Sequence, residues 1–139
     1  MEERRIVIQT FGNFDIFVDG QLVKFTRRKA KELLAYLVDR RGTSVSTREA
    51  CGVLWEDEDY DAKAKNRFQH AKGDLKKVLR EHGIEDLLVC QWNGLAIDCS
   101  KVQCDYYDYL KAEESGIMFV GEYMANYSWA EETAGSLWR

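Results

Sequence analysis

Short runs of alternating apolar and polar residues open the chain: Ile6-Val7-Ile8-Gln9-Thr10-Phe11, Phe14-Asp15-Ile16-Phe17-Val18 and Gln21-Leu22-Val23-Lys24-Phe25, separated by Gly12-Asn13 and Asp19-Gly20. A period of two, rich in β-branched and aromatic residues, predicts strands. An Asp-Gly pair tolerates positive φ at both positions and predicts a tight hairpin. The opening therefore reads as a small antiparallel β-meander. The period then changes. Ala30, Leu33, Leu34, Leu37 and Val38 recur at helical spacing over residues 28–41, and Gly42 supplies the terminating residue. A second helix is predicted from Ser46 to near Trp55. It is opened by a Ser46/Glu49 capping box, stapled by Val45 and Ala50, and carried inward by Cys51, Leu54 and Trp55.

Five acids follow, Glu56, Asp57, Glu58, Asp59 and Asp61, interrupted by Tyr60. Their mutual repulsion predicts an exposed loop, with Asp61 placed to cap the next helix. That helix spans residues 62–80. Ala64, Phe68, Ala71, Leu75, Val78 and Leu79 gather on one face, which should pack on the first two helices. Asn66, Gln69, His70, Gly73, Lys77 and Arg80 gather on the opposite face, with Lys63 and Lys76 towards its edges and Arg67 more lateral. Gly73 costs this helix about 1 kcal/mol relative to alanine.

After Gly83, a run ending at Trp92 and a run beginning at Leu95 flank Asn93-Gly94, which predicts a second tight hairpin with Trp92 packed in the core. The stretch 105–139 contains two helix-like pieces, one around residues 106–114 and one opened by a Ser128/Glu131 capping box. It reads as a helical C-terminal appendage. Its Tyr123, Tyr127, Trp129 and Trp138 supply either internal packing or a docking surface.

Charge changes the picture most at the third helix. Residues 62–80 hold seven Lys or Arg and one acid, a net charge of +6 inside a chain whose formal net charge is −4. Positive charge concentrated on one amphipathic helix suits a polyanion. The acidic balance of the whole excludes a nonspecific polybasic coat. With 139 residues, 45% of them hydrophobic, the chain is long enough to bury a core without staples. Its four cysteines lack CxxC spacing and only His70 and His82 could join them, so reduced thiols in a cytoplasmic protein are expected, with no disulfide framework and no metal. Neither a signal peptide nor a membrane span is expected, and hence no membrane partner. Two isolated histidines and no phosphate-cradling glycine loop supply no convergent catalytic set, so neither an enzyme nor a cofactor is expected.

Sheet, helix, helix, basic helix and hairpin is the element order of a winged helix-turn-helix preceded by a β-meander. The segments Gln9-Thr10-Phe11-Gly12-Asn13-Phe14, Lys29-Ala30-Lys31-Glu32-Leu33-Leu34-Ala35-Tyr36-Leu37, Val53-Leu54-Trp55 and Leu75-Lys76-Lys77-Val78-Leu79 carry a closer likeness. Together they resemble the DNA-binding domain of SARP-type activators, a branch of the OmpR/PhoB-type winged-helix family. Asp105-Tyr106-Tyr107 and Phe119-Val120-Gly121-Glu122-Tyr123 are similar to the start of the helical bacterial activation domain that follows it.

This resemblance implies an α+β fold: a winged helix-turn-helix DNA-binding domain over residues 1–104, with N-terminal β-meander, three-helix core and C-terminal β-hairpin wing, and a fragment of activation domain over 105–139. It implies a sequence-specific transcription regulator, SARP-like or the output half of a phosphorelay response regulator, that places residues 62–80 in the major groove of double-stranded DNA. Amides read adenine edges and cations reach phosphates or guanine. Asn66, Gln69 and His70 are thus expected at bases, Lys63, Lys76, Lys77 and Arg80 mainly at phosphates, and Arg67 at either, with Gly73 allowing close approach of a strand. Arg28, in the cationic cluster with Arg27, Lys29 and Lys31, is a further phosphate candidate. The loop Glu56, Asp57, Glu58, Asp59 and Tyr60 corresponds to the loop with which relatives touch RNA polymerase, and relatives pair head-to-tail on direct repeats. Two features depart from the family. The hairpin carries no Lys or Arg between Glu81 and Ser100, and Lys72 stands where family helices usually place an apolar residue. The alternative is a winged helix used for protein–protein interaction without DNA.

Overall fold

The computed structural model describes residues 4–92, 94–111 and 121–137. Strands β1 (Ile6–Gln9), β2 (Asp15–Val18) and β3 (Gln21–Leu22) precede helices α1 (Arg28–Asp39), α2 (Thr47–Leu54) and α3 (Ala62–Glu81). Then come β4 (Leu88–Gln91), β5 (Gly94–Ile97), β6 (Val102–Cys104), α4 (Asp105–Lys111) and α5 (Glu131–Leu137). The chain divides into two compact units, one made of residues 1–23 with 100–139 and the other of 24–99.

In the first unit the predicted meander forms, in the order β3-β2-β1-β6. Asp19 and Gly20 occupy φ of 51° and 83° between the paired Val18 and Gln21, the backbone that a two-residue hairpin turn requires. Ile6, Ile8, Ile16 and Val18 point to the buried side, as the alternating pattern dictates. β6 pairs parallel to β1, with Ile6 opposite Val102 and Ile8 opposite Cys104. Residues 24–99 are therefore an excursion between β3 and β6.

The boundary expected at Cys104/Asp105 falls inside this unit. Asp105 accepts hydrogen bonds from the Thr10 amide (2.9 Å), the Thr10 hydroxyl, the Phe11 amide (3.0 Å) and its neighbour Tyr106 (2.8 Å). Further along, Met124 N–H donates to Thr10 (2.6 Å) and Ala125 N–H to Gly12 (2.8 Å). The segment read as an appendage completes the N-terminal sheet's own unit. Of its aromatics, Tyr123 is buried and Tyr127 stacks on Trp129 at 5.3 Å, which is internal packing. Trp138, Phe119 and Val120 of the expected activation-domain likeness, and the end of the first predicted helical piece lie outside the described residues. The second piece begins without the expected capping box. Ser128 is already inside a 3-10 turn whose N-cap is Tyr127, with no side-chain cap bond.

The second unit is built around α1, which buries Ala30, Leu33, Leu34, Ala35, Tyr36, Leu37 and Val38. It packs against α2, α3 and β5. The helix stops at Asp39, before the expected end, because Arg41 and Gly42 both turn left-handed at φ 54° and 85°. Ser46 caps α2 by accepting from the Glu49 amide at 3.0 Å. The Glu49 carboxylate does not return the bond. It accepts from the Tyr36 hydroxyl at 2.6 Å and faces Arg40 at 3.5 Å, so half of the expected box ties α2 to α1 instead. Val45 exchanges backbone hydrogen bonds with Leu95 (2.8 and 2.9 Å), joining the chain ahead of α2 to the β4–β5 hairpin.

That hairpin is displaced by one residue from its sequence reading. Gln91 pairs with Gly94, so Trp92 follows the end of β4 and Gly94 is in β5. A Cβ on Gly94 would strike Ser44 Oγ and stand 3.2 Å from the Val45 carbonyl, so this glycine serves the close approach of two backbones. Asn93 lies outside the described residues.

Candidate nucleic-acid interface

Helix α3 is formed and oriented as its pattern requires. Asp61 accepts from the Ala64 amide at 2.9 Å and satisfies one of the orphan donors of the first turn. At the other end Gly83, at φ 72°, lets the Ile84 amide return to the Leu79 carbonyl at 2.9 Å. Ala64, Phe68, Ala71, Leu75 and Leu79 are buried, and Val78 is half-buried. The helix packs through this seam on α1 and α2.

The opposite face is open. Asn66, Gln69, His70, Gly73, Lys77 and Arg80 are exposed, as is Lys63, and Lys76 is half-exposed at the edge. Lys63 and Lys77 take part in no ion pair among the described residues. A strip of amides and an imidazole flanked by lysines can donate to and accept from base edges while its cations meet phosphates. Lys72 is half-buried.

Both α3 arginines of the candidate set are engaged. Arg67 places its Cζ 5.6 Å from the Trp55 ring centroid and its Nη2 3.0 Å from Glu58, while its Nε is buried without a hydrogen-bond partner. Its guanidinium is held by the acidic loop. Arg80 donates from Nε and Nη2 to the two carboxylate oxygens of Glu85, each at 3.0 Å. This paired hydrogen bonding to the guanidinium holds the Glu85 carboxyl below its ordinary pKa. A bidentate pair of this kind is the strongest surface arrangement an arginine makes, yet in solvent it is worth little.

At the start of α1, Arg28 is exposed and the helix has no side-chain cap and no acid in its first turn. Lys29 serves the fold, donating to the Leu54 carbonyl at the end of α2 and to Glu32 at 3.0 Å, with its Nζ 5.7 Å from the Trp55 centroid. In the acidic loop Glu56, Asp57, Glu58 and Asp59 are exposed, whereas Tyr60 is half-buried with Arg48 and Lys65 over its ring at 5.0 and 5.4 Å. Arg48 and Lys65 were not singled out by the sequence, since their relation to Tyr60 exists only once α2 and α3 are packed.

The hairpin corrects one expectation outright. Trp92 is 97% exposed, not packed in the core. The core positions of the hairpin are filled by Leu88, Leu95, Ala96 and Ile97 on its other residues, which leaves the indole at the turn outside. Among the described residues no cluster of His, Cys, Asp or Glu is arranged to hold a metal ion, and no helix is long and apolar enough to cross a membrane.

Three helices, a hairpin bonded to the chain ahead of α2, and a preceding meander make an α+β arrangement of the winged-helix class. It is similar to the solved structure of Mycobacterium tuberculosis EmbR in complex with low affinity phosphopeptide, with a TM-score of 0.75 and 20% identity. The likeness covers 97% of this chain and 42% of that one, so the chain spans less than half the length of its neighbour. No protein-family model and no curated protein matches the sequence.

Proposed function

We propose that this chain is the DNA-binding part of a SARP-like transcription regulator, or of a response regulator of the same build, and that it reads duplex DNA with α3. The observation that carries the reading is the exposed strip Asn66, Gln69, His70, Gly73 and Lys77, opposite a fully apolar seam on a helix of net positive charge. The fold likeness to EmbR, a SARP-family regulator, supports the class. Asn66, Gln69 and His70 address base edges. Lys63, Lys76 and Lys77, with Arg28 from α1, address phosphates. Arg80 joins them when a phosphate displaces Glu85, and Arg67 stays with the loop. DNA reading then belongs to residues 24–99, Glu56, Asp57 and Asp59 offer a basic surface of RNA polymerase an acidic one, and a head-to-tail pair on direct repeats follows the family habit. A regulator of this kind acts in the cytoplasm and catalyses nothing.

Selection of bound duplexes from a random pool tests this. An enriched motif is expected, and Asn66→Ala should change that motif. Lys77→Ala should weaken binding to all sequences and reduce the log-affinity versus log-salt slope, itself about −4 to −5, by about one. A second reading, a winged helix that docks on protein, is favoured by the bare indole of Trp92 and by the neutralisation of two arginines. It predicts no enriched motif and no affinity for duplex DNA.

A further inference from the structure

The loop after α2 carries five acids, yet the cations nearest to it are not all paired with them. Glu58 takes Arg67, and Asp61 gives its carboxylate to the Ala64 amide. Arg48, in the first turn of α2, and Lys65, in the first turn of α3, make no ion pair among the described residues. Both stand instead over the ring of Tyr60, with the Arg48 Cζ 5.0 Å and the Lys65 Nζ 5.4 Å from its centroid. Arg48 and Lys65 are exposed, and Tyr60 is half-buried.

An aromatic face attracts each cation separately, while the two like charges repel one another and neither is ion-paired with Asp59 or Asp61, which flank Tyr60 in the chain. An anion bridging the two relieves that repulsion. Arginine supplies a planar fork for phosphate oxygens and lysine a point charge, so together they fit one phosphodiester better than they fit the flat edge of a base. Lys65 is also next to Asn66 on the helix read here as the DNA-reading element, so a backbone phosphate flanking that contact lies on the same polymer.

We propose that Arg48, Lys65 and Tyr60 form a second phosphate-binding point for the duplex backbone, with Tyr60 as the positioning residue that holds the two cations through its ring. This rests on the reading of α3 as the helix that meets DNA. It also takes Tyr60 out of the surface offered to a polymerase.

The test is the salt dependence of binding of the full chain to a mixed-sequence duplex, with thermal unfolding of each variant measured alongside. Because Arg48 and Lys65 share one phosphate, Arg48→Ala and Lys65→Ala should each reduce the magnitude of the log–log slope, and the double variant should reduce it by about 0.9 in all. Tyr60→Leu should reduce it too although no charge is removed, Tyr60→Phe should match the parent protein, and Arg48→Ala should cost less in the Tyr60→Leu background than alone. If Tyr60→Leu does not fold, the two cation variants decide. Slopes unchanged in Arg48→Ala and Lys65→Ala but reduced in Lys77→Ala overturn this inference and leave the proposed function standing. Absence of duplex binding by the parent protein overturns both.

Discussion

Gly73 stands on the exposed face of α3 with nothing within 4 Å of the place a Cβ would occupy. No packing reason within the subunit therefore accounts for a residue that costs helix propensity. Gly73→Ala should raise stability by about 1 kcal/mol in urea unfolding. It should at the same time weaken duplex binding, because the added methyl stands in the middle of the strip proposed to enter the groove. A variant that is more stable and binds duplex as well as its parent would remove Gly73 from the interface. Side-chain commitments were the least legible layer of the sequence. Spacing placed Arg67 and Arg80 on or beside the outward face, but their partners Glu58 and Glu85 lie in the segments before and after the helix, where no periodicity reaches. Trp92 was misplaced for a related reason. An indole carries a large apolar area and normally packs, and only the pairing of Gln91 with Gly94 shows that it falls at the turn. Glu85 also has a pH signature. Its carboxyl titrates below the ordinary value because Arg80 holds the ionised form, so the pair's stabilisation is present above the ordinary carboxylate range and is lost as pH falls through the lowered value.

Elements were legible where pattern and termination agreed. The Asp19-Gly20 hairpin, the Ser46 and Asp61 caps and the seam of α3 follow from local chemistry that tertiary context did not override. Where a residue had two possible employers, the sequence named the local one and the fold chose the distant one. Glu49 could return a bond to its own cap or bridge to α1, and burial of Tyr36 on α1 makes the bridge the better use, since the Tyr36 hydroxyl needs an acceptor. Gly94 could make a turn or permit a close approach, and the neighbouring backbone of Ser44 and Val45 decides for the approach. The two thiols buried deepest are likewise fixed by environment. Burial raises the pKa of Cys51, and that of Cys104 is pushed up to about 12, while Cys90 is exposed on β4. A thiolate-directed alkylating reagent at neutral pH should label Cys90 first and leave Cys51 and Cys104 intact until the protein unfolds. Mass spectrometry of the labelled peptides reads the order, and early labelling of Cys104 would contradict the packing of β6.

At the scale of the whole chain, the order of elements was readable but their grouping was not. Parallel pairing of β6 with β1 joins residues about a hundred positions apart in sequence, a contact that no local signal announces. Asp105 then supplies acceptors to the buried Thr10 and to Phe11, so the segment that reads as an appendage is bonded into the N-terminal unit. Asp105→Ala strands these donors and should destabilise the protein by about 2–3 kcal/mol in urea unfolding, with Asp105→Asn costing less. No loss would mean that the first unit does not depend on this closure. The proposed function rests on the second unit, where an amphipathic helix turns its cations and amides outward. The most direct measurement is a map of backbone amide shifts in the full chain on addition of duplex DNA. The largest changes are predicted at Asn66, Gln69, His70, Gly73 and Lys77, with smaller ones at Arg28, Arg48 and Lys65. Saturable binding that leaves α3 unperturbed and shifts only the surroundings of Trp92 would contradict the account.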